Sequence, residues 1–322
     1  MKKGTKLWLF VATSLILIGL IIFVGIMTIL KWDFTKLSTS KYETNYYEFN
    51  ENYSNISIVT DTADIVFAVS EDLKSSVECY EQKNVKHSVT VKDDSLVIKV
   101  VDTRKWYEHI GIHFGTPKIT VYLPKNEYTS VVIKESTGDI QIPKDFKFES
   151  VDISTSTGDV KCYASASGSI KIKASTGDIR VENISAGSLE LSVSTGDVTA
   201  SSISCQGDVK VNVSTGDTKL TDIACKNVIS SGSTGDISLK NVIAIEKFSI
   251  KRSTGDVKFN GCDAAEIFVK TDTGDVIGTL LSGKEFIVKT DTGDKQIPQS
   301  ETGGKCEITT DTGDIKIGIK QP

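Results

Sequence analysis

Histidine is almost missing from this sequence: there are three in 322 residues, and none follows His113. A Ser-His-Asp triad is therefore excluded from everything beyond that point. Five prolines and twelve phenylalanines are few for the length. The six cysteines (Cys79, Cys162, Cys205, Cys225, Cys262 and Cys306) are widely spread and form no CxxC pair, which excludes a disulfide framework and a zinc cluster of the usual spacing. There is no excess of positive charge. The formal net charge is −5, so a nucleic-acid partner is not favoured. No phosphate loop and no dinucleotide fingerprint is present. Val, Ile, Ser, Thr, Lys and Gly dominate instead. These are strand and turn residues, and they predict little helix outside the N-terminus.

The N-terminus is different. Lys2, Lys3 and Lys6 precede an uncharged run from Leu7 to Leu30, long enough to cross a hydrocarbon core of ~30 Å as a helix. A cleaved signal peptide would have an apolar core of about 7–15 residues and a small-residue cleavage site. The run instead leads directly into Lys31 and Trp32, so an uncleaved anchor is expected. Three lysines before it, against Lys31 and Asp33 after it, place the N-terminus in the cytoplasm and the rest outside.

The rest of the chain is organised by a repeat. Thr-Gly-Asp occurs ten times, at Gly138-Asp139, Gly158-Asp159, Gly177-Asp178, Gly196-Asp197, Gly216-Asp217, Gly235-Asp236, Gly255-Asp256, Gly274-Asp275, Gly293-Asp294 and Gly313-Asp314. The spacing is always 19 or 20 residues, as in stacked structural units. Counted from each glycine, apolar residues recur at −7 (Val131 to Cys306), −5 (Ile133 to Ile308, broken by Ser230), +2, +4 and +7. Small residues recur at +9 (Ala186, Cys205, Cys225, Ala244, Ala264). Alternation by two marks strands with one buried face, and −3 and −1 continue the inward series. Three phase slips per repeat make three corners. The expected fold is all-β: a single-stranded parallel β-solenoid with three-faced coils of 19–20 residues, an N-terminal β-hairpin cap and one preceding transmembrane helix. Glycine would occupy a corner needing positive φ, aspartate would tie the bend down, and the motif threonine would line its inner side.

The domain reading follows: a basic stub (1–6), an anchor (7–30), a linker (31–45), a β-rich cap with a degenerate first coil (46–130) and the solenoid (131–322). The degenerate coil is "NISIVTDTADIVF", with Ala63 in the glycine place. The cap contains two strands around Asp93-Asp94-Ser95 and a strand ending in "YLP". Lysines and Pro322 on the last strand are expected to discourage growth from that end.

Four features are candidates for chemistry or contact. "KWYEHIGIHFG" reads first as an aromatic loop packed on the cap; as a strand it would put His109 and His113 on one face as a metal pair, but no third ligand is identifiable. The ten aspartates should form a column in which unit charges ~5 Å apart repel by about 1 kcal/mol in water and about 3 kcal/mol at an effective dielectric of 20. Backbone N–H groups, the basic residues Lys161, Arg180, Lys219, Lys258 and Lys316, or bound cations could offset this. Asp272/Asp275, Asp291/Asp294 and Asp311/Asp314 form acidic pairs of the kind Ca²⁺ takes, although the spacing is not that of a calcium loop. Cys205 and Cys225 share a column on adjacent coils, where two buried thiols are favoured over a disulfide. The outward residues Phe268, Ile277 and Ile287 form a candidate contact patch, with Phe268 and Ile287 expected on successive coils.

The anchor, the strand ending in "YLP" and the repeated "STGDI/STGDV" resemble the bacterial β-strand-repeat family known as "putative adhesins", a domain of unknown function. The LiaG-type membrane-anchored proteins of Gram-positive cell-envelope stress operons are similar. The resemblance covers about Asn45 to the C-terminus. It implies an envelope location and supplies no catalytic residues. The expected function is a non-enzymatic envelope scaffold, adhesin-like or partner-binding, facing an envelope protein or a cell-wall polymer. The alternatives are a calcium-binding surface module and, more remotely, a carbohydrate-active β-helix enzyme.

Overall fold

The computed structural model describes residues 3–37, 40–109, 115–300 and 302–320. It contains two compact units, one of 1–43, 82–85 and 102–115 and one of 44–81, 86–101 and 116–322.

The first unit carries the helix Lys3–Ile29. Within Gly4–Ile29, an 18-residue stretch has a mean hydropathy of 2.8. Twenty-seven residues at 1.5 Å each give about 40 Å, more than a bilayer core requires. The helix ends where Lys31 (φ 55°) and Trp32 (φ 58°) turn left-handed and the Trp32 N–H donates to the Met27 carbonyl at 2.8 Å. In the odd aromatic segment, Trp106–His109 form a 3₁₀ turn in which Glu108 accepts the Lys105 N–H at 2.8 Å. His113 and the side chain of His109 lie outside the described residues, and with them the alternative of a histidine pair.

The second unit is the parallel β-solenoid. Equivalent positions of successive repeats pair in register: Val131, Val151, Ile170, Leu189, Val209, Val228, Phe248 and Ile267 form one ladder. Shorter ladders follow the corner, such as Val160–Cys162 on Ile179–Val181 and Ile184–Ala186 on Ile203–Cys205. The aliphatic columns at −7, −5, +2 and +4 close into one apolar core. A second left-handed bend, at +6, uses Asn183, Ser202, Asp222 and Asn241 (φ 56°, 55°, 53° and 51°). Polar residues whose side chains bond locally tolerate this conformation, and Asn241 Nδ2 donates to Asp222 Oδ1 at 2.8 Å. That bend was not foreseen; the +6 column of Asn, Ser and Asp was its signal.

Chain order and spatial order differ at both ends. The coil made by Asn55–Thr62 and Asp64–Val69 stacks directly on the first Thr-Gly-Asp coil, with Ile56 beside Val131, Ile58 beside Ile133 and Ile65 beside Ile140. The intervening chain forms the cap. Ser75–Gln82 runs antiparallel to Lys118–Leu123, and Asp93 (φ 49°) and Asp94 (φ 57°) make a tight hairpin turn.

At the other end, Glu266–Thr273 pairs not with the next coil but with Lys305–Thr312, which in turn pairs with Glu285–Thr292. The last coil of the sequence is thus inserted, and the penultimate coil forms the free end. The expectation that Ile315–Ile319 would be the terminal strand is therefore corrected: it lies between Val276–Leu280 and Lys295–Gln296. Pro322 is outside the described residues. The physical reason lies in the side chains. Cys306, Ile308, Ile315 and Ile317 suit an interior coil and are buried. The 285–296 coil instead carries the exposed Lys295 at +2, where the two coils beneath it carry Ile315 and then Val276. A lysine there is tolerated only where the position faces water.

Candidate functional site

The repeated aspartates are built into the scaffold. All ten motif glycines have positive φ, from 124° to 150°. A Cβ on each of the last nine would run into the carbonyl of the glycine in the neighbouring coil, and on Gly138 into that of Ala63. Two independent constraints therefore require glycine. Nine of the ten aspartates then accept, through Oδ1, the backbone N–H of the aspartate in the adjoining coil; Asp294, on the free end, donates its N–H to Asp314 but accepts none. Asp159 donates to Asp139 at 2.8 Å, Asp178 to Asp159 at 2.9 Å and Asp197 to Asp178 at 2.8 Å. The ladder continues to Asp314 on Asp275 at 2.7 Å and Asp294 on Asp314 at 2.9 Å. A carboxylate accepting a backbone N–H has part of its charge offset in place.

Two lysines assist at three corners. Lys258 bridges Asp236 at 2.9 Å and Asp256 at 3.0 Å, and its hydrogen bond holds Asp236 below the usual carboxylate range. Lys316 does the same for Asp314 at 2.6 Å. Arg180 instead pairs with Glu182 at 2.6 Å.

The motif threonine does not line the inside of the bend, contrary to the expected inward −1 position. It is exposed in all ten repeats, and in nine of them its carbonyl accepts the glycine N–H of a neighbouring coil, as Thr157 does from Gly138 at 2.9 Å; Thr137 accepts from Ala63 at 3.1 Å. The inward series stops at −3. There Thr271, Thr310 and Thr290 donate to the carbonyls of Gly255, Gly274 and Gly313 at 3.3, 3.0 and 2.9 Å. The phase slips one residue earlier than read because the corner glycine is already the turn.

The −3 column also holds two buried charged residues. Arg252 is 4% exposed. Its Nη2 donates to Thr218 Oγ1 at 2.8 Å and Ser230 Oγ at 3.3 Å. Burial pulls its pKa down, while the nearby Asp217 and Asp236 oppose that shift. Glu135 is 6% exposed and neither carboxylate oxygen has a hydrogen-bond partner. Burial pushes it up to about 8, and Asp64 and Asp139 add to the shift. Neither residue was singled out from the sequence.

The acidic pairs considered for Ca²⁺ do not gather into a cluster. Among the described residues, one group of three candidate ligands converges, and it is elsewhere: Cys79, Glu81 and His87 in the cap. All three are buried. His87 Nδ1 lies 2.7 Å from Glu81 Oε2, which also accepts the His87 N–H at 2.6 Å. Asn45 Nδ2 donates to Glu81 Oε1 at 2.7 Å, and Thr60 Oγ1 lies 2.8 Å from His87 Nε2. The imidazole and carboxylate are thus already spent on one another, and the cluster reads as a hydrogen-bonded brace. The sequence carries no motif that marks His87, which sits in the ordinary strand Val85–Lys92.

All six cysteines are free and buried, Cys205 and Cys225 included, and burial pushes the Cys225 thiol up to about 12. The candidate patch is not continuous. Glu307 stands between Phe268 and Ile287 because of the inserted coil, which corrects the expected contact. Phe268 is flanked by Lys247 and Lys305, 5.9 and 5.5 Å from its ring centre. Ile277 lies between Lys258 and Lys316. An open groove of about 580 Å³ is lined by Tyr128, Phe148, Lys147, Glu127 and Glu149.

The fold and its corners define a stacked-repeat β-solenoid in which the recurrent motif is architectural. The chain belongs to the Toastrack DUF4097 family, whose model matches residues 53–212 and 205–322. No curated protein matches. Among solved structures, the chain is similar to a "putative adhesin" from Parabacteroides distasonis ATCC 8503 at 12% identity, covering 87% of this chain and 98% of that one, with a TM-score of 0.49. It is similar also to "putative adhesins" from Parabacteroides merdae ATCC 43184 (14% identity, 76% and 96% covered, TM-score 0.47) and Bacteroides fragilis NCTC 9343 (17%, 86% and 97%, TM-score 0.43).

Proposed function

We propose that the protein is a membrane-tethered, non-enzymatic solenoid that presents a rigid β surface outside the cytoplasm to an envelope protein or cell-wall polymer. The observation that carries this reading is the aspartate ladder. The carboxylate repeated at the corners accepts a backbone N–H in nine of the ten motifs, all but Asp294 at the free end, which leaves the column a poor set of general bases. The apolar helix supports a tether, and the lysines before it favour a cytoplasmic N-terminus. A part in envelope stress rests on the family resemblance alone.

Two measurements test the reading. Protease applied to intact cells should remove the solenoid and spare an N-terminal tag; a fully protected solenoid would overturn the topology. Cross-linking in intact cells followed by pull-down should enrich an envelope component over an unrelated anchored control. Identical enrichment lists would overturn partner binding.

A further inference from the structure

The two ends of the solenoid are finished differently. The N-terminal end is covered by the antiparallel cap. At the other end, Glu285–Thr292 pairs on one side with Lys305–Thr312, and among the described residues no strand pairs with its outer edge. Phe286 and Val288 are only partly buried against the core, whereas Cys306 and Ile308 beneath them are 0% and 1% exposed. Ile287 is 48% exposed on the outer face, between the exposed Glu285 and Lys289. An unpaired strand edge over an incompletely closed core is a template for another strand.

The edge is complementary to itself. The Glu285 N–H points inward, donating to the Gly304 carbonyl at 3.0 Å. By strand alternation, Phe286 and Val288 turn their N–H and C=O groups to the open edge. Rotate a second copy about a two-fold axis through Ile287, so that the strands run antiparallel. Phe286 then faces Val288 of the second copy in hydrogen-bonded pairs, apolar against apolar on the core side. Ile287 faces its own copy in the closer non-hydrogen-bonded pair. Glu285 faces Lys289 of the second copy twice, opposite charges on the outer side. A shift by one residue would place core-side against solvent-side chains, so this register stands out.

We infer that the protein forms a two-fold, end-to-end dimer through the open edge of Glu285–Thr292, with a second copy of this chain as the occupant. The pairing uses the one end that is uncapped among the described residues, so it closes at two copies and does not grow into a filament. The Lys289–Asp291 pair within the strand, 3.1 Å apart and exposed, is weak enough to give way to the contact across the interface. The inference is independent of which envelope component the side of the solenoid binds.

The test uses the full chain in detergent, with mass measured by light scattering. Ile287→Cys should give a disulfide-linked dimer under mild oxidation, because the native thiols are buried; Lys251→Cys, exposed on an inner coil, should not. Lys289→Glu should raise the dimer dissociation constant by about tenfold or more, since two attractive pairs become repulsive. The exchanged double variant Glu285→Lys/Lys289→Glu should restore it to within a few-fold of wild type. A monomer at all concentrations, cross-linking of Ile287→Cys no faster than Lys251→Cys, or an exchange that fails to restore the dimer would each overturn the inference. These side chains are exposed, so circular dichroism should show all variants folded.

Discussion

The guanidinium of Arg252 lies in the space that a side chain at Gly232 would fill, one coil away in the same inward column. Three departures from the repeat surround it: Thr218 at +2, Ser230 at −5 and Gly232 at −3. Together they hollow a polar chamber into an apolar core and supply two hydroxyl acceptors. Removing the cation alone strands those hydroxyls and leaves a void. Arg252→Met should therefore cost about 2–4 kcal/mol in chemical denaturation. Adding Thr218→Val and Ser230→Val, which returns both columns to aliphatic residues, should recover most of that loss or exceed wild type. An unchanged midpoint for Arg252→Met would contradict this account.

Glu135 makes stability depend on pH in an unusual direction. Its carboxyl is raised from an ordinary 4.5 to about 8 in the folded protein. Between those values the folded state binds more protons than the unfolded one, so stability falls as pH rises. The loss is on the order of a few kcal/mol from pH 4.5 to pH 8. Glu135→Gln cannot ionise and should flatten the profile over that window. The check is a series of melting curves at fixed ionic strength. Equal slopes for wild type and variant would show that another group is responsible.

The coil was legible because a period of 19 or 20 residues carries its own geometry: alternation located the strands and glycine located the corner. The order of the last coils was not legible, because all three repeat units share the same corner. What separates them is tolerance of solvent at a single site, Lys295, and that matters only once the end of the stack is known. The same limit applies to the contact patch. Phe268 and Ile287 are one repeat apart in sequence and two coils apart in space. Arg252 was hidden for a different reason: its partners sit on other coils, so Ser230 looked like an isolated exception.

The two halves of the corner motif should respond differently to substitution. Gly196→Ala must place a Cβ against the Gly177 carbonyl at a φ of 138°, so the coil has to shift. A loss of about 2–4 kcal/mol is expected. Asp197 accepts the Asp217 N–H at 2.7 Å. Asp197→Asn keeps an oxygen acceptor and should stay within about 0.5 kcal/mol, whereas Asp197→Ala should lose about 1 kcal/mol. A functional carboxylate would instead leave the asparagine variant stable but inactive in partner binding.

The cap offers a direct comparison between a brace and a metal centre. If Glu81 is valuable because it accepts from Asn45 and from both the ring and backbone of His87, then Glu81→Ala strands several buried donors. The expected cost is about 3–5 kcal/mol, seen as a large drop in melting temperature. The Cys79 thiol takes no part in those hydrogen bonds, so Cys79→Ala should cost only the small void it leaves, about 1 kcal/mol. A bound metal predicts a different ranking: the two variants would be similarly damaged, and EDTA would lower the wild-type melting temperature to match. Melting the wild type and both variants with and without chelator therefore distinguishes the two, and the hydrogen-bond geometry predicts that chelator has no effect on any of them.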